Sequence, residues 1–204
     1  MQLIGMLDSP YVRRTAISLR LLNITFEHRA ISVFRTFEQF SQINPVVKAP
    51  TLICDDGTAL MDSTLIIDHI ESIARRSLMP GDAGERLRAL RVVGLALAAC
   101  EKAIQIVYER TLRPAEKQHE PWVTRVQLQL VAAVGALEGE LGNNRPSSDE
   151  RGINQAGVTT AVAWRFIQMM LPNVIAASDY PVLAAYSAEA ERLPAFKASP
   201  PDES

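Results

Sequence analysis

KAPTLICDDGTALMDST, residues 48–64, decides how the rest of the chain is read. Two short apolar runs, Thr51–Cys54 and Thr58–Met61, flank Asp55-Asp56-Gly57. That is a hairpin signal, because glycine accepts the positive φ such a turn needs. Asp62-Ser63 then opens a helix expected to reach Ala74, with Leu65, Ile66, Ile70 and Ile73 near one face. Pro50 enters the first strand without an amide donor and with φ fixed.

Working backwards, Thr36–Ile43 reads as a short helix ahead of Asn44-Pro45, and Phe26–Val33 as a strand. Gln2–Leu7 is a first strand ended by Asp8-Ser9-Pro10, where serine before proline matches a helix start. The helix that follows puts Val12, Ala16, Leu19 and Leu22 on one face. The order is βαβαββα over residues 1–76, a mixed sheet with helices packed on it.

Working forwards, residues 77–84 hold Pro80, Gly81 and Gly84 and read as a linker. Everything from 85 to 204 is expected to be helical, ending in a disordered tail, SPPDES. Glu85–Arg113 carries an apolar stripe of Leu87, Leu90, Gly94, Leu97, Ile104 and Tyr108. Pro121–Leu141 carries Val123, Val126, Leu130, Val134, Leu137 and Leu141. Ala156–Leu171 is apolar on most sides, as a central helix would be, and Pro181–Leu193 reads as the last helix. The fold class is therefore α/β plus all-α.

Composition excludes several function classes. A net charge of −2 gives nucleic acid no basic face to bind. No apolar run approaches the roughly 20 residues that cross a bilayer. MQLIGMLDSPYVRR has no basic segment ahead of its apolar one, so no signal peptide is expected, and a reducing cytoplasm is the expected location. Cys54 and Cys100 lack the spacing of a disulfide framework or metal site and read as small core residues. His28, His69 and His119 lie far apart, so no metal is expected.

The opening stretch has a chemistry of its own. A cis bond at Pro50 would turn the preceding residues outward and leave the main chain of Ala49 free to pair with an extended peptide. At the start of the next helix, backbone amides and the dipole favour a carboxylate, to which Ser63 could donate. Asp62 could pair with an ammonium group. Together these suit a small zwitterionic peptide lying beside the strand.

On those residues, with Ser9-Pro10, Asn44-Pro45, Lys48-Ala49-Pro50, Asp55-Asp56-Gly57 and Asp62-Ser63 in this order and spacing, the chain resembles the cytosolic glutathione S-transferases. The resemblance implies a thioredoxin-like N-terminal domain followed by an all-helical one. It further implies a cis Pro50, an Ala49 backbone paired with the cysteinyl part of glutathione, and Asp62 and Ser63 holding its γ-glutamyl end. Ser9 falls where the family has its catalytic residue, and SPYVRR is most similar to bacterial members with SPxxR there. The implied activity is conjugation of glutathione, as co-substrate, to small electrophiles in a cytoplasmic, detoxifying homodimer. A non-catalytic glutathione-binding protein, or a glutathione-dependent peroxidase or isomerase, would use the same groove.

The remaining side chains divide between bland and functional readings. Ser9 is either a helix cap or a donor to the glutathione thiolate. Lys48 is a solvated charge or a glutathione carboxylate contact, and Arg35 is a second candidate for the glycyl carboxylate. Arg13 and Arg14 read as surface charges or dimer contacts. Glu101, interrupting an apolar stripe, reads as exposed or as lining an interface. Tyr108 and Trp164 either fill the helical core or wall the electrophile's pocket. Near residue 155, where the family often has a capping box, Asn154 can cap but Gly157 cannot return the bond.

Overall fold

The computed structural model describes residues 1–202 and divides into two units, Met1–Leu78 with the segment from Arg192 onward, and Met79–Glu191. The first unit holds β1 (Gln2–Ile4), α1 (Pro10–Leu21), β2 (Glu27–Arg29), α2 (Phe37–Ile43), β3 (Thr51–Ile53), β4 (Ala59–Met61) and α3 (Ser63–Ala74). The sheet order is β2-β1-β3-β4, with β1 parallel to β2 and antiparallel to β3, and β3 antiparallel to β4. Leu3 pairs with His28 on one side and Leu52 on the other, and Leu52 with Leu60. This is the thioredoxin-like βαβαββα arrangement expected from the sequence. The strands are shorter than their apolar runs, β2 most of all. The Asp55-Asp56-Gly57 turn forms as read: Cys54 N donates to Thr58 O (2.9 Å), and Gly57 takes φ +87°.

Helix α1 departs from its expected one-sided pattern. Every residue from Val12 to Leu19 is buried, including Arg13 and Arg14, so neither arginine is the surface charge the sequence suggested. The difference comes from α3, to which Arg14 is bonded, and from the C-terminal segment, which covers Arg13. Helix α8 (Pro194–Lys197) and the residues after it belong with this unit rather than with the helical one. Arg13 lies over the Phe196 ring (5.8 Å) and donates from Nε to Ser199 O (2.9 Å). Arg20 Nε donates to Ser199 Oγ (2.9 Å), and Ser199 is buried. Asp202 accepts a hydrogen bond from the Leu7 amide. Up to residue 202 the tail expected to be disordered is thus bonded to the first strand–helix loop and α1; its last two residues lie outside the described ones.

In α3 the buried face is Ile66, Ile67 and Ile70, while Leu65 and Ile73 are exposed, a one-position rotation of the expected stripe. The linker region is anchored too. Leu78 is buried, and its amide and the Ser77 hydroxyl both donate to the Glu71 carboxylate (2.9 and 2.6 Å).

The second unit comprises α4 (Ala83–Thr111), α5 (Glu120–Asn143), α6 (Gln155–Met170) and α7 (Pro181–Ala190). Helix α4 packs against α5 and α6, and α6 against α7. The expected stripe on α5 is buried in full. On α4 the core face is instead Ala89, Val92, Val93, Ala96, Ala99, Cys100, Ala103 and Ile106, with Leu87 70% and Leu90 51% exposed. Alanines let helix backbones approach closely, so the larger leucines do not mark the packed face. Glu101 is exposed and pairs with Lys102 (3.1 Å). Two acidic side chains cap neighbouring helices: Glu109 accepts from the His119 amide (2.9 Å), and Glu138 from the Val182 and Leu183 amides (both 2.8 Å). No helix among the described residues is long and apolar enough to cross a membrane.

Candidate functional site

Ser9 stands at the N-cap position of α1, with extended backbone, Pro10 following, and its carbonyl accepting from the Arg13 amide (2.9 Å). Its side chain makes no capping bond, and among the described residues no partner is recorded for its hydroxyl. A serine at a cap position normally spends its oxygen on the helix amides. Here the oxygen is left for something else, at the positive end of a twelve-residue helix.

Asp8, beside it, is half-buried. Its carboxyl is pushed up, first by desolvation and then by the Asp202 carboxylate, against the opposing pull of the Ser9 amide and Arg35. A raised carboxyl costs nothing below its ordinary range and destabilises the fold progressively as pH rises and it ionises. Asp8→Asn is therefore expected to raise the melting temperature by about 1–3 °C at pH 7.5 and to leave it unchanged near pH 3. Thermal melts of both proteins across that range check the sign.

The loop before β3 is held from within. The buried Asn44 side chain donates from Nδ2 to Thr51 Oγ1 (2.9 Å) and accepts from the Val46 amide (3.0 Å). Thr51 Oγ1 in turn donates to Lys48 O (2.7 Å), and Val47 adopts φ +52°. The Ala49–Pro50 bond is cis, the isomer the resemblance implies. The Ala49 side chain packs on the cluster of Ile4, Ile31 and Phe40. Neither its amide nor its carbonyl has a recorded hydrogen bond among the described residues. Gly5 ties this loop to α1. A Cβ there would stand 2.6 Å from Val12 Cγ2 and 3.1 Å from Ala49 Cβ, so only glycine lets β1, α1 and the loop meet. His28 Nε2 fixes the Gly5 carbonyl (2.8 Å).

Helix α3 begins at Ser63. Asp62 before it has φ +73° and ψ 126°, a conformation that costs about 1–3 kcal/mol for a residue with a side chain. Its Oδ1 accepts from the Thr64 amide (2.9 Å), and its Oδ2 lies 4.0 Å from Lys48 Nζ. Lys48 and Asp62 thus come together at the surface. Ser63 is 3% exposed, and its Oγ accepts from Arg14 Nη1 (3.0 Å).

The other candidates are distributed as follows. Arg35 is exposed on the loop after β2, near enough to Asp8 to oppose its upward shift. Trp164 is buried inside the helical unit, edge-on to Tyr180 with ring centroids 6.0 Å apart, whereas Tyr108 is exposed on α4. Cys54 is not the core residue expected. It is half-exposed, 3.7 Å from His69 Nε2, and burial together with Asp56 and Asp55 holds its thiol above the usual range, which disfavours the nucleophilic thiolate. The sequence reading missed Arg14, Thr51 and His28; their side chains act across elements, and only the apolar setting of Arg13-Arg14 hinted at burial.

Residues 3–77 match the glutathione S-transferase N-terminal domain. The whole architecture, a four-stranded thioredoxin-like sheet with its helices followed by a helical region, is the glutathione S-transferase fold. An uncharacterized GST-like protein of Escherichia coli, YibF, is 28% identical over 174 residues, covering 85% of this chain and 86% of that one. A glutathione transferase family member from Pseudomonas fluorescens, solved with bound glutathione, superposes with a TM-score of 0.81 at 25% identity over 99% of both chains. A glutathione S-transferase from Methylobacterium radiotolerans, in complex with glutathione sulfonate, gives a TM-score of 0.90 at 22% identity, covering 100% of this chain and 95% of that one.

Proposed function

We propose that this protein is a glutathione S-transferase of the bacterial serine type, which binds glutathione in the first unit and conjugates it to a small electrophile. The observation that carries the reading is a set of polar groups without protein partners on three successive parts of that unit: the Ser9 hydroxyl, the Ala49 main chain and the Ser63 hydroxyl proton. Ser9 and Ala49 are half-buried, so these groups are open to a ligand that displaces water. Glutathione has a matching group for each. Its thiolate accepts a hydrogen bond from the Ser9 hydroxyl, its cysteinyl amide and carbonyl pair with Ala49, and its γ-glutamyl carboxylate lies at the α3 N-terminus. Lys48 and Asp62 then offer opposite charges to its zwitterionic end, and Arg35 a cation to the glycyl carboxylate.

The chemistry follows from thiolate supply. A thiol of pKa about 8.5 is only a few per cent ionised at neutral pH. A hydroxyl bond to the anion, worth roughly 1.5–3 kcal/mol, with about 0.3–1 kcal/mol from the α1 dipole, lowers that pKa by one to three units. The thiolate then attacks the electrophilic carbon. With an aryl halide, a carbon–sulfur bond forms and the halide leaves with the bonding pair. Serine donates and is never itself the nucleophile; a cysteine there would favour disulfide exchange instead.

Of the two aromatic candidates for the electrophile, Trp164 fills the helical core and Tyr108 is exposed on α4. We further infer a cytoplasmic homodimer, to which the exposed Leu87 and Leu90 on α4, beside Arg88 and Arg91, are suited. The test is retention on immobilised glutathione together with turnover of an aryl halide. Retention with turnover is the expected result. Retention alone would make the protein a glutathione binder, and no retention would overturn the assignment.

A further inference from the structure

Three buried hydroxyls, Thr15 and Ser18 on α1 and Ser63 on α3, have their protons accounted for differently. Thr15 Oγ1 donates to Tyr11 O (2.9 Å), and Ser18 Oγ donates to Arg14 O (2.8 Å), each using the carbonyl four residues back. Ser63, the first residue of α3, has no helical carbonyl behind it. Its recorded bond is one it accepts, from Arg14 Nη1 at 3.0 Å, and the same Nη1 lies 3.2 Å from Thr64 Oγ1. A guanidinium has five donors and no acceptor. Arg14 therefore takes a lone pair of the Ser63 oxygen and can never take its proton. Among the described residues no acceptor is recorded for that proton, although Ser63 is 3% exposed.

We propose that Arg14 is a positioning residue for the γ-glutamyl carboxylate: by donating to Ser63 Oγ it forces the serine proton outward, toward a carboxylate at the α3 N-terminus. This rests on the glutathione-binding reading above and extends it to a residue that does not touch the ligand. Arginine is suited to the task because it stays charged and cannot reverse its hydrogen-bond direction.

The test compares two ligands by calorimetry: S-hexylglutathione, and S-hexyl-cysteinylglycine, which lacks the γ-glutamyl group. Wild type should prefer the former. Arg14→Gln fills the space with an amide whose oxygen can accept the Ser63 proton and turn it inward. That variant should lose about tenfold or more in affinity for S-hexylglutathione and change little toward the dipeptide. Arg14→Lys, again a donor only, should keep the wild-type preference within about threefold. Ser63→Ala should lose the preference as Arg14→Gln does, and the double variant should lose no more than either alone. Circular dichroism checks that each variant folds, and if Arg14→Gln does not, the Lys and Ala variants still decide. An Arg14→Gln protein that weakens both ligands alike, an Arg14→Lys protein that loses the preference, or additive losses would overturn the proposal. A wild type that binds S-hexylglutathione but responds only at Ser63 overturns the role of Arg14 alone. A wild type that binds neither ligand overturns the glutathione reading with it.

Discussion

Gly157→Ala is expected to lower the melting temperature by roughly 5–15 °C, although the change replaces glycine with the best helix former inside a helix. An added Cβ would stand 2.1 Å from Tyr186 Oη and 3.0 Å from Ile153 Cγ1. Tyr186 cannot yield cheaply. It is fully buried, its hydroxyl donates to Ser147 O (3.0 Å), and its ring lies under Arg145 (5.3 Å). Burial pushes its phenol well above the usual tyrosine range, so no accessible pH frees the oxygen by ionisation. Nor can α6 move away, since it is buried from Gln155 to Trp164 without a break. Overpacking costs about 1–3 kcal/mol, and a broken tyrosine bond about 1–3 more, against a propensity gain near 1. Tyr186→Phe identifies the cause. It costs about 1 kcal/mol alone but removes the clashing oxygen, leaving Cζ at 3.4 Å, an ordinary contact. Gly157→Ala in the Phe background should therefore recover more than half of the loss. A double variant less stable than Gly157→Ala itself would show that another contact is responsible.

The same position shows why some features were legible in the sequence and others were not. Asn154 as a cap could be read locally, and its Oδ1 does accept from the Gly157 amide (3.1 Å). The reason for glycine could not, because it is a hydroxyl carried by a residue 29 positions later. The βαβαββα order was readable since each element has its own punctuation: Ser9-Pro10, Asn44-Pro45, Asp55-Asp56-Gly57, Asp62-Ser63. The α5 stripe was readable because a large apolar residue recurs every three or four positions along its packed face, even though Trp122, Leu128 and Val131 are exposed. The α4 face was misread because half of its apolar contact residues are alanine, and apolar size is a poor guide where backbones lie close. Arg13 was misread because it is covered by chain from beyond residue 191, and Arg14 because it bonds to α3, neither of which local periodicity can report. Ala49, Asp62 and Ser63 could be proposed from their own segment, because the cis bond and the helix start that set them are local. Asn44 was found as a motif but not as the clamp it forms with Thr51.

Ser9→Ala is expected to reduce aryl halide turnover at pH 6.5 by roughly 10- to 100-fold while leaving glutathione affinity within about threefold. The loss follows from the thiol, not from the fold. The Ser9 side chain makes no capping bond, so its removal should cost the helix little, and the melting temperature should hold within about 2 °C. Losing a hydroxyl donor worth roughly 1.5–3 kcal/mol to an anion raises the pKa of bound glutathione by about one to two units. The raised pKa fixes the sign of the pH dependence. Below the wild-type value both proteins hold mostly thiol, and the rate ratio equals the ratio of ionisation constants. Above the variant's value both hold thiolate, and the ratio shrinks toward one. The gap between the two profiles should therefore close as pH rises toward 9.5. The ultraviolet absorbance of bound thiolate, titrated directly, should show the same displacement without any electrophile present. A variant whose rate falls by one constant factor at every pH, with an unmoved thiolate titration, would mean that Ser9 acts on the electrophile or on its positioning rather than on sulfur ionisation.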